Sequence, residues 1–178
     1  MAKVEFKEYV KNYDDLVGAL KFVKENYVLV GIPDAQTDRG RDAEITNAEL
    51  LFIHTNGSPI NNIPPRPVIE QAILSEKDKF DEMLKKVYDY ARKGDKQSAV
   101  MQLRRVGLKA QNVCRGWFVN PNNGWPPNAP STAAAKIRRY KKSHKGKAGT
   151  YTPKPLIDTG ELRKSITYVL SLRGRRQL

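Results

Sequence analysis

One cysteine, Cys114, and two histidines, His54 and His144, are all that 178 residues contain of those types. A single thiol excludes an intrachain disulfide, and so few nitrogen and sulfur ligands leave a metal site poorly supplied. Cys114 falls on an apolar helical face and reads as a small core residue. Aromatic residues are also scarce, at 8%, and mean hydropathy is -0.62, so the core is modest and neighbouring subunits are expected to complete the burial. No apolar run approaches the roughly 18 residues that cross a bilayer, the stretch from Tyr27 to Ile32 being typical, and Met1 to Tyr9 has no signal-peptide core. The expectation is a protein with no membrane partner, held in the cytoplasm until it assembles.

Acidic residues are nearly missing from the second half. Residues 1–100 carry 15 Lys+Arg against 17 Asp+Glu, which leaves 17 against 2 for residues 101–178. Such a surface suits nucleic acid or an acidic protein partner. A phosphate-cradling loop is absent too, because no glycine precedes a Lys-Ser or Lys-Thr pair at the required spacing. Nucleotide hydrolysis is not expected, and no cofactor is.

The length suits one compact domain over residues 1–178, with loops at 34–45, 57–67 and 120–155. Asn12 is placed to cap a first helix that carries Leu16, Leu20 and Val23 at helical spacing. Tyr27 to Ile32 reads as a buried strand ended by Pro33. Thr46 and Glu49 match a capping box, which predicts a helix that ends at Asn56-Gly57. Four prolines between Gly57 and Pro67 force extended chain, and Pro67 suits the first position of the next helix. The stripe Ile69, Ala72, Ile73, Phe80, Met83, Leu84, Val87 and Ala91 is followed, after Gly94-Asp95, by Ala99, Val100, Leu103, Val106, Ala110, Val113 and Trp117. This predicts a long antiparallel helical hairpin. Lys136 to Lys147 reads as an exposed basic arm or frayed helix, and Ile166 to Leu172 as a half-buried strand paired with Tyr27 to Ile32. The fold class is α+β, a small antiparallel sheet packed with that hairpin, plus extended proline-rich loops and a basic arm.

The chemistry-bearing strings are few. Leu156-Ile157-Asp158-Thr159-Gly160 is similar to the Asp-Thr-Gly signature of retroviral-type aspartic proteases, in which two carboxylates share a proton. Those enzymes place it early in a β-rich chain, whereas 18 residues follow Gly160 here and helices precede it. A helix cap explains the letters with less: Asp158 accepts backbone amides and Glu161 completes a capping box. His54 has no Ser or Cys nucleophile marked out beside it and His144 sits among cations, so no catalytic residue is assigned. Trp117, Trp125, Tyr140 and Tyr151 lie among the cations of the second half, a mixture able to stack on bases while Lys and Arg meet phosphates.

Three strings are informative together. The first is Ala48-Glu49-Leu50-Leu51-Phe52-Ile53-His54-Thr55-Asn56-Gly57 followed by Ile63-Pro64-Pro65-Arg66-Pro67-Val68-Ile69. The second is Asn123-Gly124-Trp125-Pro126-Pro127-Asn128-Ala129-Pro130-Ser131-Thr132. The third runs from Lys154-Pro155-Leu156-Ile157-Asp158-Thr159-Gly160 through Glu161-Leu162-Arg163-Lys164-Ser165-Ile166. In order and spacing they resemble the tail-completion and virion-morphogenesis proteins of tailed bacteriophages, small proteins of the neck. The likeness covers roughly Ala48 to Leu172. It departs where Val68 replaces a common aromatic and where the basic tract is long.

The resemblance implies a structural virion protein without catalytic residues, located in the neck or tail and in the host cytoplasm during assembly. It implies a homo-oligomeric ring, most often a hexamer, that joins tail to head beside other neck, head-completion or adaptor, and tail-terminator proteins. Candidate interaction residues are Arg66, Trp125, Arg138, Arg139, Lys141, Lys142, Lys145 and Lys147, the last six facing either a protein ring or DNA in the lumen. The competing expectation is a nucleic-acid-binding protein that uses its basic C-terminal half; the aspartic protease is a distant third.

Overall fold

The computed structural model describes residues 2–34, 44–144, 151–173 and 175–177, without the side chains of 2–10 and 177. In chain order the elements are α1 (Ala2–Glu25), β1 (Asn26–Gly31), α2 (Asn47–Asn56), a single 3-10 turn (Pro59–Asn61), α3 (Ile69–Leu74), α4 (Lys77–Arg92), α5 (Lys96–Trp117), α6 (Pro130–Ser143), α7 (Glu161–Ser165), β2 (Thr167–Leu172) and β3 (Arg175–Gln177). The α+β class is thus observed, with helix dominant. The chain forms two compact units, one from Met1–Gly31, Ile73–Asn112 and Tyr168–Leu178, the other from Ile32–Ala72 and Val113–Thr167.

In the first unit α1 lies against α4. Ala19, Phe22 and Asn26 are the buried positions at the end of α1, at the three-to-four-residue spacing of one helix face. The helix begins well before Asn12, which is therefore an interior residue and not a cap. The charged residues ahead of it are good helix formers and carry the helix past a residue whose cap preference is weaker than their sum. Asn26 closes the helix by donating from Nδ2 to the Phe22 carbonyl at 2.7 Å, while its Oδ1 accepts the Arg173 N–H at 3.3 Å.

The three strands are ordered β1-β2-β3, as the pairing of the two predicted strands requires, and β2 and β3 are antiparallel with Leu170 opposite Gln177. Val169, Leu170 and Ser171 are buried in succession, so β2 is not the half-exposed strand its alternation implied. Successive strand residues point to opposite faces, so this stretch of β2 is covered on both. One cover is α5: a Cβ on Gly107 would overlap the ring of Tyr168, so only glycine lets the strand's aromatic side chain lie on that helix.

The helical hairpin forms as expected. Gly94, at φ 75, makes the turn, and Asp95 accepts the Ser98 N–H at 3.0 Å to start α5. Lys109, far along α5, returns to Glu76 at the start of α4 at 2.6 Å. Phe80, Val87, Ala91, Ala99, Leu103, Val106 and Ala110 are buried, whereas Leu84 of the same stripe is 45% exposed. The stripe that predicts one helix from Pro67 to Ala91 is interrupted at Ser75-Glu76, where Glu76 leaves helical geometry at φ -122, ψ 22.

The second unit starts with the predicted capping box. Thr46 accepts the Glu49 N–H, and the Glu49 carboxylate accepts the Thr46 N–H at 2.7 Å. Leu51, Val68, Ala72, Cys114, Trp117, Phe118, Leu162 and Ile166 make its buried apolar set. Two arginines tie the end of α5 to α7. Arg115 donates to the carbonyls of Ile166 and Lys164 at 2.8 and 2.7 Å, and Arg163 donates to the Arg115 carbonyl at 2.7 Å.

Two expectations need correction here. The stretch read as a loop from 120 to 155 contains α6, a 14-residue helix with Pro130 at its first position. Proline there removes an amide that would be unpaired anyway, and Ala133, Ala134 and Ala135 then favour the helix. Asp158 is also not a cap. Gly160, at φ 84, precedes α7 and no side chain caps that helix conventionally, the Glu161 N–H meeting only Thr159 Oγ1 at 3.3 Å. The Asp158 carboxylate instead accepts from Arg139 at 2.6 Å, an ionic partner that outcompetes neutral amides.

Candidate functional site

The second unit contains a cleft of about 570 Å³, and residues from all three strings line it. Each arrives by a local rule. His54 is brought by α2. Gly57 then turns the chain at φ 77, and a Cβ there would stand 2.9 Å from the Ile63 oxygen and the Pro65 nitrogen. Ser58 and Ile63 exchange both main-chain bonds, at 2.8 and 2.9 Å, and Asn62 takes the left-handed conformation at φ 53. This tight loop delivers Arg66, whose N–H donates to the His54 carbonyl at 2.6 Å.

Arg66 is 6% exposed. Its Nε and Nη2 donate to the Pro126 carbonyl at 3.2 and 3.1 Å, and Nη2 donates to the Pro127 carbonyl at 3.0 Å. Trp125 closes the same junction from the other side, donating from Nε1 to the Pro67 carbonyl at 3.0 Å and meeting Phe118 edge to face at 5.7 Å. Two proline-rich segments, with few donors of their own, are therefore joined by the side chains of Arg66 and Trp125. Both residues act within the chain.

Lys136, on α6, is also 6% exposed and donates from Nζ to the Lys154 carbonyl at 2.8 Å. Burial is the main cause that lowers the pKa of both Arg66 and Lys136, and for Lys136 the Asp158 carboxylate opposes it. His54 is held below its ordinary value by burial first, then by the Arg66 and Lys136 charges, so its ring is neutral at pH 7. Its Nδ1 is buried and has no hydrogen-bond partner among the described residues. The two carboxylates on the wall are engaged, Asp158 by Arg139 and Glu161 by Lys164 at 3.5 Å.

Of the other predicted interaction residues, Arg138, Arg139, Lys141 and Lys142 are exposed on α6, and only Arg139 among these four reaches the cleft wall, through Asp158. Lys145 and Lys147 lie outside the described residues. Tyr140, which reads as a possible base-stacking group, has its ring stacked between His144 at 4.1 Å and Tyr151 at 4.3 Å. Lys136 is the residue that sequence reasoning passed over. Its position three residues after Ala133 and four before Tyr140, on the inner face of the helix, was the available signal.

Among the described residues no group of three or more His, Cys, Asp or Glu is arranged to hold a metal ion, and no helix is long and apolar enough to cross a membrane. Chemically the cleft offers hydrogen bonds and charge: one imidazole, two buried cations, two ion-paired carboxylates, side-chain amides and hydroxyls. Comparison of the chain with protein-family models, curated proteins and solved structures gives no match.

Proposed function

We propose that the chain is a structural, non-catalytic virion protein of a tailed bacteriophage, a tail-completion or neck component acting as one copy in a ring that joins tail to head. The observation that carries this reading is the convergence of the three strings. Residues scattered from Asn47 to Leu162 line one cleft, and Arg66 and Trp125 fasten the first string to the second. Strings that lie apart in the sequence and together resemble one family are, in the folded chain, parts of one cleft. The polar groups in it serve as fasteners, with main-chain carbonyls as their partners, which is how a rigid assembly part uses charge.

The ring gives a role to the apolar residues left outside. Tyr13, Leu16, Val17, Leu20 and Val23 of α1 are 40% or more exposed, as are Tyr27 and Leu29 of the edge strand β1. An exposed apolar stripe at helical spacing, such as the one on α1, suits a contact with another protein. The test is electron microscopy and native mass spectrometry of the purified chain, followed by joining of separated heads and tails. Closed rings of one copy number, and joining that depends on the added protein, are expected. A monodisperse monomer that joins nothing refutes the reading, and binding to duplex DNA with a steep salt dependence would favour the nucleic-acid alternative.

A further inference from the structure

We propose that the cleft binds a carboxylate carried on an extended peptide segment of a partner protein. The inference deepens the joining role by naming what a copy grips, and so rests on that reading for its biological setting; its chemistry rests on the charges alone.

Arg66 and Lys136 are each more than nine-tenths buried, and both line the cleft. A buried cation is costly unless an anion compensates it, and among the described residues neither forms an ion pair, Asp158 acting on Lys136 only across space. Their bonds go to the carbonyls of Pro126, Pro127 and Lys154. The two wall carboxylates pair with Arg139 and Lys164 from outside the lining, so these six side chains together carry two positive charges in excess.

Two further features aim at the same space. The start of α6 has no side-chain cap, and Ala129, Ser131 and Thr132 from its first turn line the cleft, so the positive end of a 14-residue helix opens onto it. His54 lines the same cleft, its Nδ1 buried and without a hydrogen-bond partner among the described residues. An anion in the cleft would lie near the two cations and the helix start.

Phosphate and carboxylate both satisfy such a floor, and the walls decide between them. The lining carries only two cations, Arg66 and Lys136, too few for a backbone with a charge at every unit. Asn62 lines the cleft as well, and the Asn61 and Asn128 amides, which donate to Ser58 Oγ and the Pro153 carbonyl, keep their oxygens as acceptors for peptide N–H groups. A volume of about 570 Å³ lies within the range of ligand sites and admits a few residues. One acidic side chain in otherwise neutral extended chain fits both the charge and the walls.

The experiment follows the Thr132 amide and the His54 ring by NMR in the purified full chain. The probes are a blocked pentapeptide Gly-Ser-Glu-Ser-Gly, its Gln counterpart, inorganic phosphate and a single-stranded oligonucleotide. Saturable binding of the Glu peptide, about tenfold weaker for the Gln peptide, is expected. Thr132→Glu, at an exposed rim position in the first turn of α6, supplies a carboxylate within the chain. It should weaken the Glu peptide at least about tenfold without lowering the melting temperature. Thr132→Gln, which adds bulk but no charge, should weaken binding less than Thr132→Glu does. No saturable binding of the Glu peptide, equal binding of its Gln counterpart, or unchanged binding by a folded Thr132→Glu overturns the proposal. Tighter binding of phosphate or oligonucleotide at the same resonances overturns it in favour of a phosphate site. Rings that form while no peptide binds would sink this inference and leave the structural role standing.

Discussion

Replacing Arg66 by alanine removes three hydrogen bonds of 3.0–3.2 Å and leaves the Pro126 and Pro127 carbonyls without their donor. Hydrogen bonds from a charged group contribute about 1.5–3 kcal/mol, and the carbonyls left behind belong to exposed prolines that can accept water instead. Removing the guanidinium also relieves the cost of burying it, so the terms partly offset and the net loss is about 1–3 kcal/mol. Arg66→Lys keeps the charge and at most one well-directed bond, so it should recover only part of that loss. Trp125→Phe gives up one neutral bond of 3.0 Å and should cost about 1 kcal/mol. Both side chains fasten the same two segments, so the double variant should fall short of the sum by about 0.5 kcal/mol or more. Urea denaturation of the four variants beside the natural chain measures this. A loss under about 0.5 kcal/mol for Arg66→Ala, or full recovery by lysine, would refute the fastening role.

Gly107→Ala should lower stability by about 2 kcal/mol or more, because its methyl group meets the Tyr168 ring on the central strand; thermal melting beside Tyr168→Ala checks this, the larger cavity relieving the clash in the double variant. His54 titrates below its ordinary 6.5 because burial and the Arg66 and Lys136 charges disfavour its protonated form. The unfolded chain therefore binds the proton first, and stability that is full above pH 6.5 should fall as pH drops from there through the folded value. His54→Gln should flatten that limb of the stability–pH curve, and an unchanged limb would show that another group is responsible. Asp158→Ala removes an exposed ion pair with Arg139 and should change stability by at most about 1 kcal/mol. Peptide hydrolysis that the substitution abolishes would overturn the non-catalytic reading. Cys114, whose thiol burial pushes up to about 11, should resist alkylation at pH 8 until the chain unfolds.

What could be read from the sequence was local. The Thr46 capping box, the Gly94-Asp95 turn and the facing stripes of α4 and α5 each depend on residues within a few positions of one another. The errors came where a local signal met a distant partner. Asp158 has the letters of a cap, but Arg139, nineteen residues upstream, takes its carboxylate. Lys136 belongs by composition to an exposed tract and is buried because the Lys154 carbonyl receives it. Arg66 and Trp125 stood out by resemblance, yet their partners lie about sixty residues away, and nothing in either segment specifies the other. Gly107 gave no signal at all, since a glycine inside a helix is explained only by what rests on it.

The order of strands has a consequence for biosynthesis. β1 is complete at Gly31, but its neighbour β2 begins at Thr167, and the whole of residues 32–166 is made in between. At about 5–20 residues per second, β1 waits on the order of ten seconds for the strand that covers it. Throughout that interval the nascent chain presents α1 and an unpaired strand carrying Tyr27 and Leu29. Trigger-type holding chaperones, which recognise such apolar segments as they leave the ribosome, should therefore raise the yield of folded protein more than they would for a chain whose sheet is built from neighbours in sequence.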